Sequence, residues 1–202
     1  TSSDEVTSLA IWGARLYSSA GPAVSSWDGE SGLRLSVQVA GTATVSKLTI
    51  TPDDLKLFSL DPKFVTFWDA SSGQKLFSIP NAHASYIYTL AVSPDGSKLF
   101  SASHDKAITS WDASSGQKLN TIPNAHSSTI SSLVVTPDGS KLISASWDKS
   151  IAFWDTSTGL KLNTIENAHG CDPRGARYGC GILTLAVSPD GSKLFSAGYD
   201  FA

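Results

Sequence analysis

Residues Asn81 to Leu119 read NAHASYIYTLAVSPDGSKLFSASHDKAITSWDASSGQKL, and residues Asn124 to Leu162 read NAHSSTISSLVVTPDGSKLISASWDKSIAFWDTSTGLKL. The second stretch repeats the first position by position: His83 and His126, Pro94 and Pro137, Asp105 and Asp148, and Trp111 and Trp154 each lie 43 residues apart. A period of that length marks a chain of stacked supersecondary units that share their cores with their neighbours.

Within the clearest unit, four short runs alternate apolar and polar residues with period two and are rich in β-branched and aromatic side chains. They are Ile87 to Ser93, Lys98 to Ser103, Ala107 to Trp111 and Gln117 to Ile122. This pattern predicts four strands joined by tight turns. In Pro94-Asp95-Gly96-Ser97, Pro sets φ and Gly takes φ > 0, as a hairpin turn requires. The turn Asp112 to Gly116 also ends in Gly.

Working outward, Trp68-Asp69 lies 43 residues before Trp111-Asp112, and Trp27-Asp28 lies 41 before that. Two degraded copies therefore precede the clear ones, with strands expected at Val6–Trp12, Arg15–Ala20, Ala23–Trp27 and Leu33–Val39, and at Lys47–Thr51, Leu55–Leu60, Phe64–Trp68 and Lys75–Ile79. Gly41 falls where His83 falls one unit later, and Pro62 and Pro22 fall where Asp105 does. After Trp154, the run SPDGSKLFSA recurs from Ser188 to Ala197 and the chain reaches Asp200, half a unit. The expected units are residues 1–40, 41–82, 83–125, 126–168 and an incomplete 169–202, all in one repeat segment spanning 1–202.

The 202 residues are 41% hydrophobic and 16% charged with a formal net charge of −3, so no global charge draws the chain to nucleic acid or an anionic membrane. No apolar run reaches the roughly 18 residues of a spanning helix. Neither nucleic acid nor membrane insertion is expected. There is no Met, not even at the start, which suggests a processed protein or a piece of a longer chain.

The order His, Ser-Pro-Asp-Gly, Ser-x-x-x-Asp, Trp-Asp resembles the WD-repeat β-propeller family, and the resemblance covers nearly the whole chain. It implies an all-β fold of four-stranded blades with the first strand of each innermost. Here that means four nearly complete blades and the first half of a fifth, with further blades supplied by a longer chain or a partner. It also implies a polar tetrad in each blade, namely His83, Ser101, Asp105 and Trp111, then His126, Ser144, Asp148 and Trp154. The fifth unit keeps His169, Ser196 and Asp200. The first two lack His and the matching Asp, so they should lean more on apolar packing.

The His and Asp residues could be metal ligands or catalytic pairs, but they recur with the repeat, whereas an enzyme site is assembled once from convergent groups. The Asp-Gly turns lack the dense oxygen ligands of a calcium loop, and there is neither a Gly-x-Ser-x-Gly elbow nor a phosphate-cradling glycine loop. The innermost strands TLAVS, SLVVT and TLAVS offer no ionisable groups. No catalytic residue, cofactor or metal is expected.

Two departures from the repeat carry what is specific. Nine extra residues fall within GCDPRGARYGCG, Gly170 to Gly181, where Cys171 and Cys180 bracket Arg174, Arg177 and Tyr178. Cys171 and Cys180 could close this loop as a disulfide, and Arg with Tyr suits an interface. The residues just before the tetrad Asp positions are His104, Trp147 and Tyr199, and Tyr86 precedes a first strand. In the family these turns share a face with the loops before the first strands, so Tyr86, His104, Trp147, Arg174, Arg177, Tyr178 and Tyr199 are the candidate partner-binding residues. The expected function is a non-catalytic scaffold for protein–protein interaction in a multi-subunit assembly. The alternative is a secreted or surface lectin-like propeller. The expected compartment is the cytoplasm, with oxidation of Cys171 and Cys180 the mark of secretion instead.

Overall fold

The computed structural model describes residues 5–12, 14–39, 43–53, 55–170 and 181–198, the side chain of Trp12 apart. Among the candidates above, Gly41, Cys171, Arg174, Arg177, Tyr178, Cys180, Tyr199 and Asp200 lie outside the described residues.

The chain forms antiparallel sheets of sequence-consecutive strands, and among the described residues there is no helix. The first sheet is β1 (Val6–Trp12), β2 (Arg15–Ala20), β3 (Ala23–Asp28) and β4 (Arg34–Val39). The second is β5 (Lys47–Ile50), β6 (Lys56–Leu60), β7 (Phe64–Asp69) and β8 (Lys75–Pro80). The third is β9 (Ile87–Val92), β10 (Lys98–Ser103), β11 (Ile108–Asp112) and β12 (Lys118–Ile122). The fourth is β13 (Ile130–Val135), β14 (Lys141–Ser146), β15 (Ile151–Asp155) and β16 (Lys161–Ile165). The fifth holds β17 (Ile182–Val187) and β18 (Leu194–Gly198). Each predicted strand is present to within one residue at either end, because turn chemistry rather than apolar content sets the boundaries.

Those turns are built alike. The Asp of each Trp-Asp pair accepts hydrogen bonds from the hydroxyl and amide groups two or three residues on: Asp69 from Ser71 and Ser72, Asp112 from Ser114 and Ser115, Asp155 from Ser157 and Thr158. Gly73, Gly116 and Gly159 then close the turn at φ near +70°, where a Cβ is disfavoured.

The chain divides into two compact units, the first reaching Ile87 and the second beginning at Tyr88. In the first, Ala10, Tyr17 and Val24 of the first sheet pack on Leu48, Leu57 and Trp68 of the second. Tyr17 also donates its hydroxyl to the carbonyl of Ala70 at 2.9 Å. Phe58 meets Phe67 edge-on with centroids 4.9 Å apart, and Phe67 stacks on Phe77 at 4.4 Å. In the second unit, Ala91, Phe100, Ala102 and Ile108 of the third sheet pack on Leu133, Leu142, Ala152 and Trp154 of the fourth. Ile143, Ala145 and Ile151 of the fourth pack in turn on Ile182 and Leu185 of the fifth. Each of these joints sets one face of a sheet against the opposite face of the next, so within each unit neighbouring sheets share a core.

A polar tie accompanies two of these joints. On the bulged innermost strands, Ser8 Oγ accepts the Leu48 N–H at 3.0 Å and Ser132 Oγ accepts the Leu185 N–H at 3.1 Å. The bulges leave Thr7 and Ser131 unpaired in their own ladders, and the hydroxyls of those two donate to the Val45 and Ile182 carbonyls of the neighbouring sheets. Outside the three runs TLAVS, SLVVT and TLAVS, the first strand of the second sheet does open with an ionisable residue, Lys47, whose pKa burial lowers.

Candidate functional site

The fourth sheet shows the polar cluster complete. The Trp154 indole N–H donates to Ser144 Oγ at 2.8 Å, and Ser144 Oγ lies 2.7 Å from His126 Nε2. The other ring nitrogen, Nδ1, lies 3.1 Å from Asp148 Oδ2 and 2.9 Å from Ser150 Oγ. One proton arrangement satisfies all of these: Ser144 accepts from the indole and donates to Nε2, which leaves an N–H on Nδ1 to face the carboxylate. Burial pushes the Asp148 carboxyl up, but hydrogen bonds from His126, Ser150 and the Ser127 N–H outweigh it and hold the group well below the usual carboxylate range. Ser150, buried beside His126, is a fifth member that the repeat reading missed.

Chemically this cluster is closed. Every polar atom named is engaged with another, and His126, Ser144 and Ser150 are buried, so no nucleophile or vacant ligand atom faces a substrate. An open groove of about 410 Å³ beside it is lined by Lys106, Ser127, Asp148, Lys161 and Glu166 among others. Its opposite charges present no single sign to a ligand.

The pairing of Trp with a second-strand Ser recurs wherever a complete sheet exists. Trp27 donates to Ser18, Trp68 to Ser59 and Trp111 to Ser101, each at 2.8 Å. In the first two sheets the Ser lies nine rather than ten residues before the Trp, because the intervening turn is one residue shorter. The second sheet is also not without its Asp: buried Asp61 accepts the N–H groups of Lys63 and Phe64 at 2.9 and 2.7 Å. Alignment on the Trp alone hid it. In the fifth sheet His169 Nε2 lies 2.8 Å from Ser196 Oγ.

The family model described as WD domain, G-beta repeat matches residues 73–112 and 116–155. The chain carries WD repeats. Each matched repeat starts after a Trp-Asp turn and ends on the next Trp-Asp pair, so it holds the outermost strand of one blade and the three inner strands of the following one. WD repeats generally serve as protein-interaction scaffolds. Curated proteins give no match to the chain.

At the end of the WD blades that carries the second-to-third turns, the loops interlock. The Ala125 N–H bonds to the Lys106 carbonyl at 2.8 Å and the Ala168 N–H to that of Lys149 at 2.9 Å. Asn124 and Asn167 take the left-handed conformation just ahead of these amides, and Lys106 and Lys149 take it in the turns. Asn adopts that conformation more readily than most residues, which explains the repeated Asn-Ala-His.

On this rim Trp147 is 41% exposed and meets the ring of Tyr88, itself 40% exposed, edge-on with centroids 5.6 Å apart. The Trp147 N–H is anchored on the Thr129 carbonyl at 2.9 Å. Its indole also lies over Gly181 at the start of the fifth blade, where an added Cβ would come within 2.9 Å of the ring. Trp147 is therefore held on both sides and still half open. His104 is exposed, but its Nδ1 is engaged with Thr129 Oγ1, so it braces the rim. Tyr86 is exposed on the first compact unit. The sequence reading overlooked Tyr88. Its signal was present in the alternation of IYTLAV, which turns Tyr88 away from buried Ile87 and Thr89.

Proposed function

We propose that the chain is a non-catalytic WD-repeat scaffold that docks a protein partner of a larger assembly on the rim built around Tyr88 and Trp147. The observation that carries this is the edge-to-face pair of half-open rings, fixed on backbone at Thr129 and Gly181. Rigid aromatic side chains supply contact area at low entropy cost and are enriched among residues that dominate binding energy. Loop positions on a rigid β framework are also where binding residues concentrate. Arg174, Arg177 and Tyr178, in the insertion that precedes Gly181 in the sequence, belong to the same proposal.

The test is quantitative affinity capture with wild type and with Tyr88→Ala/Trp147→Ala, both checked for folding by circular dichroism. Loss of the specifically enriched partner by the folded double variant supports this rim. An unchanged set of captured proteins would overturn it.

A further inference from the structure

Two joints between WD blades match position for position, that of the first and second blades and that of the third and fourth. Tyr17, Ser26 and Ser36 lie opposite one another across β2, β3 and β4 as Phe100, Ser110 and Asn120 do across β10, β11 and β12. From the following blade, Leu57 pairs with Trp68 as Leu142 pairs with Trp154. Gly73 and Gly159 then close turns against the same fourth-strand positions. An added Cβ would stand 2.8 Å from Ser36 Oγ in one and 2.6 Å from Asn120 Nδ2 in the other.

The two crevices differ in how far the chain itself fills them. The one beside Tyr17 keeps about 10 Å³, the one beside Phe100 about 90 Å³. In the first, the Tyr17 hydroxyl and the Arg15 guanidinium both donate to the Ala70 carbonyl at 2.9 Å, and the guanidinium also donates to the Ser71 carbonyl at 2.8 Å. In the second, Phe100 takes the place of Tyr17 and brings no hydroxyl. Lys98 takes the place of Arg15, and its ammonium donates to the Thr156 carbonyl at 3.1 Å. A carbonyl oxygen can accept two hydrogen bonds. The Ala70 carbonyl takes two side-chain donors, whereas among the described residues the Thr156 carbonyl takes Lys98 alone.

The open crevice has a definite chemistry. Phe100, Ile108, Leu142 and Trp154, all buried, form its apolar walls, and half-exposed Leu119 stands with them. Lys98, Asp155 and Thr156 line it too. The Lys98 ammonium repels a cation. Asp155 repels an anion, since the Ser157 hydroxyl and then the Thr158 N–H hold its carboxyl well below the usual range. What fits is a neutral group with a donor for the carbonyl and an apolar body for the walls. We propose that the crevice between the third and fourth blades binds a small neutral phenol, its hydroxyl donating to the Thr156 carbonyl as that of Tyr17 donates to Ala70, and its ring lying along Phe100, Ile108 and Leu142. The site shares no residue with the pair Tyr88 and Trp147, so it stands or falls apart from the docking of a protein there.

Titration of phenol into the 202-residue chain, followed by NMR, tests this. The Trp154 indole N–H and the Ile108 and Leu142 methyls should shift and saturate. The Trp68 indole N–H and the Leu57 methyls, in the filled crevice, should stay where they are. Benzene, which has the ring without the donor, should bind roughly tenfold more weakly. Phe100→Tyr supplies the hydroxyl from the chain itself and should weaken phenol binding by roughly tenfold or more. Lys98→Arg, which brings the larger donor found at Arg15, should weaken it in the same direction without altering the buried wall. Circular dichroism checks that both variants fold. No saturable shift at Trp154, an equal shift at Trp68, benzene binding as tightly as phenol, or undiminished phenol binding by either folded variant would overturn the proposal.

Discussion

Ser144 Oγ accepts the Trp154 indole N–H at 2.8 Å and lies 2.7 Å from His126 Nε2, so one buried hydroxyl serves two side chains from two other segments. Removing the shared atom and removing one of its partners should differ in cost. Trp154→Phe deletes a single hydrogen bond and keeps most of the packing, an effect of about 1 kcal/mol. Ser144→Ala strands both the indole N–H and a ring nitrogen in the core and should cost about 2–4 kcal/mol. Urea denaturation of both variants measures the order, and equal destabilisation would show that the hydroxyl is not shared in solution.

Gly181 lies under Trp147, with the Trp147 Cα at 2.7 Å from where a Cβ would stand. Backbone at that distance cannot swing aside as a side-chain tip can. Gly181→Ala should destabilise by about 1–3 kcal/mol and change Trp fluorescence. Gly170→Ala meets nothing within 4 Å and should stay within about 0.5 kcal/mol of wild type in the same thermal melts.

The innermost-strand tie is open to hydrogen exchange. Ser132→Ala removes the acceptor of the Leu185 N–H, a loss of about 1 kcal/mol of hydrogen bonding. Exchange at Leu185 should speed up relative to the β14 amides. Equal protection in variant and wild type would mean that another group holds that amide.

Acid should loosen the turns in a defined window. Ser93 and then Ser97 hold the Asp95 carboxyl down at about 2, Ser71 and then Ser72 do the same for Asp69, and Thr136 and then Ser140 for Asp138. Since these folded values lie below the unfolded value of about 3.9, the stabilisation is complete above pH 4 to 5 and is lost as pH falls toward 2. A urea midpoint flat between pH 7 and pH 5 and falling below pH 4 is the expected result. Asp95→Asn with Asp138→Asn should flatten the acid limb in part.

The repeat was legible because each strand boundary is marked by local chemistry. Gly96 and Gly116 stand where φ is positive, and Asp112 reaches no further than Ser114 and Ser115. Whatever depended on counting from a single landmark was less legible. The loss of one residue from the second-to-third turn moved Ser18 and Ser59 out of register with Trp27 and Trp68, and hid Asp61 from a reading keyed to Trp. Trp147 stood out as an aromatic breaking the pattern, but its partners Tyr88 and Gly181 come from strands and loops far away in the chain.

The amino-acid sequence alone determined the period, the four strands per repeat and the turns, since these follow from contacts a few residues long or from repetition. Only the tertiary structure decided that Ser150 joins His126 and that His104 braces Thr129. It also decided that Trp147 rests between Tyr88 and Gly181. The reason is physical: a side chain's type sets which contacts it can make, whereas the partners it meets come from segments distant in the chain that only the folded arrangement brings beside it.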